Sequence, residues 1–192
     1  SFMPAGEARV SVLDRGFIYG DGVYEVIPAY RRAPFRMPHH LRRLQSSLDG
    51  IRLANPMDDE AWDKLVRDLI ARQPFDDQSV YLQVTRGVAR RDHAFPKGVP
   101  ATVFMMSNPL TLPTREQVEH GVAVVTADDN RWLRCDLKTT SLVGNVLMRQ
   151  LAADHDAVET VMFRDGFLTE ASASNVMIVR GGTIVAPPKD TQ

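Results

Sequence analysis

The sequence of 192 residues is poor in the features that would place a protein in a membrane or in an oxidising compartment. It contains one cysteine, Cys135, so no disulfide can form within the chain. Its longest apolar runs, such as residues 121–127 and 176–179, are far shorter than the roughly 20 residues of a membrane-spanning helix. No apolar leader follows a basic N-terminus, and together these absences predict a cytoplasmic protein without a membrane partner.

An excess of charge of one sign is also missing. The 23 basic and 24 acidic residues leave a formal net charge of −1, so no broad positive field exists to attract nucleic acid. Hydrophobic residues make up 44% of the chain and charged residues 24%, a composition that is typical of a globular protein with a buried core. An anionic ligand would therefore have to be bound by local groups.

Hydrophobic patterning predicts an α+β arrangement in the first half of the chain. A strand is expected at residues 23–30, after the turn signal Gly20-Asp21-Gly22. Two amphipathic helices follow, the first beginning near Pro38 and the second from about Asp58. Strands at residues 79–86 and 101–107 would give these helices a sheet to cover, and the long polar loop between the two strands is of a length that is usually functional or mobile.

The proline-containing stretch 108–113 predicts a boundary, after which Thr114 and Gln117 could form a capping box at the start of a short helix. Beyond it we expect strands at 122–126 and 132–138, a helix at 142–155 and a meander with turns at Gly166 and Gly181-Gly182. The sequence thus predicts a small N-terminal α+β domain over residues 1–110. A second α+β domain would begin in residues 111–192 and is expected to be incomplete at Gln192.

Lysine is scarce, since only four of the 23 basic residues are lysines. Lys64 faces away from the apolar stripe of its predicted helix, and Lys97 and Lys189 lie in proline-containing turns. Lys138 alone closes a mixed strand, where partial burial would favour the neutral, nucleophilic amine. The same pattern also fits an ordinary lysine at a strand edge, so spacing does not decide between the two.

Four segments, in order, resemble those of the pyridoxal-phosphate (PLP) dependent class IV aminotransferases, and of the D-amino-acid aminotransferases in particular. They are Asp14-Arg15-Gly16-Phe17 with Gly20-Asp21-Gly22-Val23-Tyr24-Glu25-Val26, the stretch 84–96 from Val84-Thr85-Arg86-Gly87 to Phe95-Pro96, Arg131-Trp132-Leu133-Arg134-Cys135-Asp136-Leu137-Lys138-Thr139 with Asn145-Val146-Leu147, and Thr169-Glu170-Ala171-Ser172-Ala173-Ser174-Asn175. The resemblance covers most of the chain. It implies the two-domain fold type IV architecture, PLP as cofactor and a homodimer.

The resemblance also implies roles for three residues at the cofactor. Transamination needs an amine that binds PLP covalently and later moves a proton, and Lys138 matches that position. Glu170 matches the carboxylate that stabilises the protonated pyridine nitrogen. Arg43 matches the arginine that binds the phosphate. On pattern alone Arg42 and Arg43 are equivalent, because neighbouring helical residues point about 100° apart and only one of them can turn inward.

For the substrate, the resemblance implies a carboxylate held by Tyr24, Arg91 and His93, with Tyr81 at a neighbouring position. In the family the arginine and the histidine reach in from the partner subunit, which agrees with their place in a long loop. The expected reaction moves the amino group of a D-amino acid such as D-alanine to a 2-keto acid such as 2-oxoglutarate. The other histidines have no carboxylate or cysteine pattern around them, so no metal site is expected.

Ala171 and Ala173 depart from the family pattern, because D-specific members tend to carry glycine and serine there. This departure leaves substrate preference open. A branched-chain L-amino-acid aminotransferase, an R-selective amine transaminase, an aminodeoxychorismate lyase and a non-catalytic fragment remain alternatives, while the set of Tyr24, Arg91 and His93 favours a D-amino acid.

Overall fold

The computed structural model describes residues 1–188, and its internal contacts divide these residues into two units. The first unit contains Ser1–Thr111 together with Asp136–Ser141, and the second contains Leu112–Cys135 together with the residues from Leu142 onward. Lys189 lies outside the described residues. No helix within residues 1–188 is long and apolar enough to cross a membrane.

The first unit is built on an antiparallel sheet of four strands in the order β2-β1-β3-β4. Along β1 and β3, alternate residues such as Ile27 and Val80 face each other in register and are fully buried, as expected for a sheet with one covered face. The three longer strands confirm the predicted ones to within two residues. The strands are β1 (Gly22–Tyr30), β2 (Ala33–Pro34), β3 (Gln78–Thr85) and β4 (Thr102–Pro109).

Helices α2 (Met37–Gly50) and α3 (Asp59–Ala71) provide the apolar residues that complete this core. Both were predicted, and the side chain of Asp58 caps α3 by accepting a hydrogen bond from Ala61 N at 2.8 Å. A third helix, α1 (Arg15–Tyr19), was not predicted, because five residues are too few to display a helical repeat.

The second unit contains a sheet of three strands in which β5 runs parallel to β6 and β6 pairs antiparallel with β7. The capping box of Thr114 and Gln117 is confirmed at the start of the short helix α4. The elements are α4 (Arg115–His120), β5 (Val124–Asp128), α5 (Val143–Asp154), β6 (Glu159–Arg164), β7 (Phe167–Ala171), β8 (Ile178–Arg180) and β9 (Thr183–Val185).

The strand predicted at residues 132–138 is wrong, because this stretch consists of bends and a turn. Only Thr139 makes a ladder contact, an isolated antiparallel bridge with Val23 of β1. The backbone N of Tyr24 donates to the carbonyl of Lys138 at 3.0 Å on one side of this bridge. Strand β2 pairs with β1 only at Ala29 and Tyr30, so the edge of β1 at Val23 is free to receive this bridge.

A buried carboxylate, Asp129, organises the loop that follows β5. It accepts hydrogen bonds from Arg131 Nε at 2.9 Å, from Arg131 Nη2 at 2.8 Å and from Thr169 Oγ1 at 2.9 Å, and Arg164 Nη2 lies 3.2 Å away. Burial by itself would raise the pKa of Asp129, but the hydrogen bonds from Arg131 and Thr169 outweigh it and lower the pKa to about 2. The ionised side chain therefore joins the loop to β6 and β7.

This arrangement predicts a pH-dependent contribution to stability. Because the pKa of Asp129 is lower in the folded chain than in the unfolded one, its ionised form contributes about 2 kcal/mol above roughly pH 4 and loses this contribution as the pH falls toward 2. Asp129→Asn should therefore lower the free energy of unfolding at about pH 6, by a difference that shrinks in acid. Urea denaturation measures it, with Asp128→Asn at an exposed neighbour as control. A deficit that stays constant between about pH 6 and pH 3 would contradict the assignment.

Candidate active site

Lys138 lies in the first unit, where its side chain is partly buried against Tyr24 of β1. Its Nζ is 3.2 Å from the Tyr24 hydroxyl and 4.2 Å from the centroid of the ring. The two residues are 114 positions apart in the sequence and are joined by the backbone hydrogen bond from Tyr24 N to the Lys138 carbonyl. An aromatic side chain on a rigid strand therefore holds the amine in place.

The short segment around Lys138 is anchored on both sides. Before it, Leu137 is buried and packs against Gly50 so closely that a Cβ at position 50 would lie 2.2 Å from Leu137 Cδ2. At Lys138 itself, the backbone N donates to Ser47 Oγ at 3.2 Å. After it, Thr140 Oγ1 donates to a carbonyl of the turn before β1 at 2.9 Å. The position of the lysine is thus set by backbone and packing contacts rather than by a strand.

Aromatic rings continue across the sheet from Tyr24. Its ring stacks on that of Tyr81 at a centroid distance of 5.6 Å, and Tyr81 in turn lies 6.4 Å from Phe104. The Tyr81 hydroxyl donates to Gln83 Oε1 at 2.7 Å, and burial, with the nearby Tyr24, raises the pKa of Tyr81. Phe104 was not among the predicted site residues, although its place opposite Gln83 in β4 is readable once the strands are aligned.

Arg43 is directed toward the sheet by a buried glutamate. Its Nε and Nη2 donate to the two carboxylate oxygens of Glu25 at 2.6 and 2.7 Å, and His40 Nδ1 lies 2.8 Å from the same carboxylate. Burial by itself would raise the pKa of Glu25, but the hydrogen bonds from Arg43 and His40 lower it. Arg43 Nη2 also lies 3.5 Å from His40 Nδ1, so the two N–H groups of Nη1 remain on the half-exposed Arg43 for an anionic ligand.

Arg91 and His93 come together around Tyr19, the last residue of α1. The His93 ring is tilted by 47° at a centroid distance of 5.4 Å from that of Tyr19, and the Arg91 guanidinium carbon lies 5.4 Å from the Tyr19 centroid. Both residues are exposed on the loop between β3 and β4. The structure therefore gathers these two candidate anion ligands on one aromatic ring, while Tyr24 and Tyr81 are gathered beside Lys138.

Glu170 lies on β7 of the second unit, where the buried Arg131 binds its carboxylate. Arg131 Nη1 donates to Glu170 Oε1, while the rest of the guanidinium is taken by Asp129. The hydrogen bond with Asp129, and then that with Glu170, raises the pKa of Arg131. The side chain of Glu170 is 40% exposed, against 7% for that of Arg131. Arg131 therefore orients the carboxylate from its buried side, and the other side is open to solvent. Arg131 was not predicted as a site residue.

The turn after Glu170 is tied together by Glu159 of β6. Its carboxylate accepts hydrogen bonds from the hydroxyl groups of Ser172 and Ser174, the latter at 2.8 Å, and from the backbone N of Ala173 at 3.2 Å. Burial by itself would raise the pKa of Glu159, but these hydrogen bonds outweigh it and lower the pKa. The two serine hydroxyls thus serve the conformation of the turn.

Comparison with known proteins identifies the family of the chain. The family model of class IV amino-transferases matches residues 22–192. A D-alanine aminotransferase from Bacillus licheniformis is 37% identical over 98% of this chain, which spans 66% of that protein. The chain therefore covers slightly less than two thirds of the length of this relative.

Solved structures share the fold. A branched-chain aminotransferase from the archaeon Thermoproteus uzoniensis, solved with norvaline, superposes with a TM-score of 0.83 at 25% identity, over 96% of this chain and 64% of that one. The PLP-bound form of a hypothetical aminotransferase from Mycobacterium tuberculosis gives a TM-score of 0.79 at 24% identity, over 97% of this chain and 68% of that one. The α+β, fold type IV architecture expected from the sequence is confirmed, and the chain belongs to the class IV aminotransferase family.

Proposed function

We propose that this protein is a PLP-dependent aminotransferase that moves the amino group of a D-amino acid, such as D-alanine, to a 2-keto acid, such as 2-oxoglutarate. The observation that carries the proposal is the amine of Lys138, fixed 3.2 Å from the Tyr24 hydroxyl in a chain 37% identical to a D-alanine aminotransferase. The support is therefore geometric at the lysine and comparative for the substrate.

The residues present fit PLP in their chemistry. The cofactor offers an aldehyde, a phosphate and a pyridine nitrogen, and the chain offers an amine at Lys138, a partly committed guanidinium at Arg43 and an open carboxylate at Glu170. When bound, PLP supplies an electron sink that stabilises negative charge at the substrate Cα.

Lys138 has two tasks in this proposal. Its amine would hold the cofactor covalently in the resting enzyme, and when free it would move a proton at the substrate Cα. Both tasks need an amine whose position is fixed while its nitrogen stays accessible. The backbone contacts of the Lys138 segment supply the first property, and its partial exposure supplies the second.

Glu170 and Arg43 would hold the two polar ends of the cofactor. Glu170 accepts a hydrogen bond from the protonated pyridine nitrogen, and the buried Arg131 keeps the carboxylate oriented for it. Arg43 donates to the phosphate with the N–H groups that Glu25 leaves free. Each ligand is thus supported by a buried residue of opposite charge.

The substrate carboxylate is assigned to Tyr24, Arg91 and His93, with Tyr81 beside it. We assign Arg91 and His93 to the site of a partner subunit, so the proposed enzyme is a homodimer, and we place it in the cytoplasm, where its single free Cys135 stays reduced. The proposed partners are the amino acid and keto acid substrates. We propose no binding to nucleic acid or to a membrane.

A branched-chain L-amino-acid aminotransferase is the second candidate, favoured by the superposition on the Thermoproteus uzoniensis enzyme. The lower identity of that structure, 25% against 37% for the D-alanine aminotransferase, favours the first candidate. Rates with D-alanine and with L-leucine, each with 2-oxoglutarate as acceptor, distinguish the two directly.

Borohydride reduction of the holoenzyme should trap the cofactor on Lys138, because among the lysines of residues 1–188 only this one combines partial burial with the contact to Tyr24. Peptide mass spectrometry locates the label. The remaining lysines serve as internal controls, since Lys64 and Lys97 are exposed. A label on Lys64, Lys97 or Lys189 would overturn the assignment.

Replacing Glu170 by glutamine should leave the cofactor bound but slow turnover. A neutral amide no longer stabilises the protonated pyridine nitrogen, and one charge-assisted hydrogen bond is worth roughly 10- to 150-fold in rate. Single-turnover spectroscopy measures the rate of Cα proton transfer. The control is Glu119→Gln on the exposed surface of α4, and a Glu170→Gln rate equal to that of the control would remove Glu170 from the mechanism.

Arg91→Ala should lower kcat/KM for D-amino acids, because the substrate carboxylate loses its bidentate partner. The loss corresponds to about 2 to 4 kcal/mol of transition-state binding. An amine substrate without a carboxylate should be nearly unaffected. Arg90→Ala, at the exposed neighbouring position in the same loop, is the matched control. Equal losses for both kinds of substrate would contradict the role of Arg91.

The dimer can be tested with the same variant. If Arg91 serves the site of the partner subunit, mixing Arg91→Ala protein with inactive Lys138→Ala protein should restore activity, because the mixed dimer contains one site with both residues intact. Dimer formation is verified by native mass spectrometry. Mixed dimers that form without regaining activity would show that Arg91 acts within its own subunit or not at all.

A further inference from the structure

The loop that carries Arg91 and His93 is exposed and irregular, yet one buried side chain of the first unit binds the backbone at the centre of this loop. Between β3 and β4 this loop has no helix or strand, and both residues are exposed. An anion-binding pair on such a loop needs a fixed backbone to keep its geometry. The structure contains a buried group that meets this need.

The guanidinium of Arg15 reaches the loop from the first turn of α1. Its Nη1 donates to the carbonyl of Asp92 at 2.5 Å and also lies 3.4 Å from the carbonyl of Ala94. These two residues flank His93, so a single cation binds the carbonyl groups of the residues on both sides of the histidine. The side chain of Arg15 is only 4% exposed, so these bonds are shielded from water.

Arg15 is itself fixed by a shared carboxylate. Its Nε donates to Asp21 Oδ2 at 2.7 Å, and the same carboxylate accepts from Arg86 Nε at 2.8 Å and from Arg86 Nη2 at 3.0 Å. Two guanidinium groups thus share one carboxylate, and the uncommitted N–H groups need other acceptors, because a buried donor without a partner is destabilising. For Arg15 these acceptors are the loop carbonyls.

Further contacts join other parts of the loop to Arg15 and Arg86. The Phe95 ring lies against Arg86, with 3.7 Å from the guanidinium carbon to the ring centroid. At the start of the loop, the backbone N of Arg15 donates to the carbonyl of Gly87 at 2.9 Å. The Arg15 guanidinium carbon is also 4.8 Å from the centroid of Tyr19, the ring on which Arg91 and His93 pack.

We propose that Arg15 is a positioning residue that sets the geometry of the Arg91 and His93 pair through the backbone carbonyls of Asp92 and Ala94. It does not touch the substrate. Its effect on reaction rates rests on the proposed function of that pair in carboxylate binding, whereas its effect on the loop does not. Arg15 thereby contributes to substrate affinity, although its side chain is buried within the first unit.

The test is Arg15→Met in the holoenzyme, with Arg15→Lys as the conservative variant and Arg67→Met, on the exposed face of α3, as control. Methionine leaves Asp21 paired one-to-one with Arg86, so the charges remain balanced and the unit should fold. The readouts are the KM for D-alanine, the inhibition constant of propionate as an unreactive carboxylate, and hydrogen exchange of residues 87–100 measured by mass spectrometry.

For Arg15→Met we expect roughly 10-fold increases in KM and in the propionate constant, with kcat changed less than about 3-fold. Exchange in residues 87–100 should be faster by a similar factor, with β1 and β3 unchanged. Arg15→Lys should give intermediate values, because an ammonium keeps the pairing with Asp21 but lacks the planar fork.

Unchanged exchange in residues 87–100, or a fall in kcat with both carboxylate constants unchanged, would overturn the proposal. Failure of both Arg15 variants to fold, while Arg67→Met folds, would show a purely structural residue and overturn it as well. If the unaltered protein has no activity with D-alanine, the proposed function fails instead, and the exchange measurement still decides whether Arg15 holds the loop.

Discussion

The candidate site depends on a single physical constraint, which is that burying a charge is costly unless hydrogen bonds or a partner of opposite sign compensate for the lost water. Three carboxylates with little exposure meet this constraint by binding arginines. Asp21 holds Arg15 and Arg86, Glu25 holds Arg43, and Asp129 holds Arg131 and Arg164. Each pairing fixes a guanidinium whose remaining N–H groups are then directed at a loop or a second carboxylate, or are left for a ligand.

This use of arginine explains an imbalance in the composition. The planar fork of arginine can serve two acceptors at once in a fixed geometry, whereas a lysine ammonium is a point charge on a flexible chain. The supporting positions described above are arginines, whereas Lys64 and Lys97 are exposed and Lys138 is partly buried. In the proposed function, a flexible primary amine suits Lys138, because that group would have to form and break a covalent bond.

Periodicity predicted the core elements well, because apolar residues in strands β1, β3 and β4 and in helices α2 and α3 repeat at the spacing of their own secondary structure. The segment before Lys138 was mispredicted because its backbone is directed by side chains, such as Asp129 accepting from the backbone N of Arg131 at 3.1 Å. The supporting residues Arg15, Glu25 and Arg131 were missed for a related reason. The contacts that tie them to the site are distant in sequence: Arg15 binds the carbonyls of Asp92 and Ala94, Glu25 binds Arg43, and Arg131 binds Glu170. Contacts of such separation leave no local pattern.

The return of Asp136–Ser141 to the first unit has a consequence for the order of events during synthesis. Lys138 forms a hydrogen bond with Tyr24, 114 positions earlier. The ribosome therefore synthesises strand β1, which receives the lysine, long before it reaches the lysine itself. The first unit therefore cannot be completed when residue 111 emerges, and its last piece arrives only after the chain has begun the second unit. Contacts of such long sequence separation slow folding, so we expect Lys138 to be among the last residues of the first unit to reach its place.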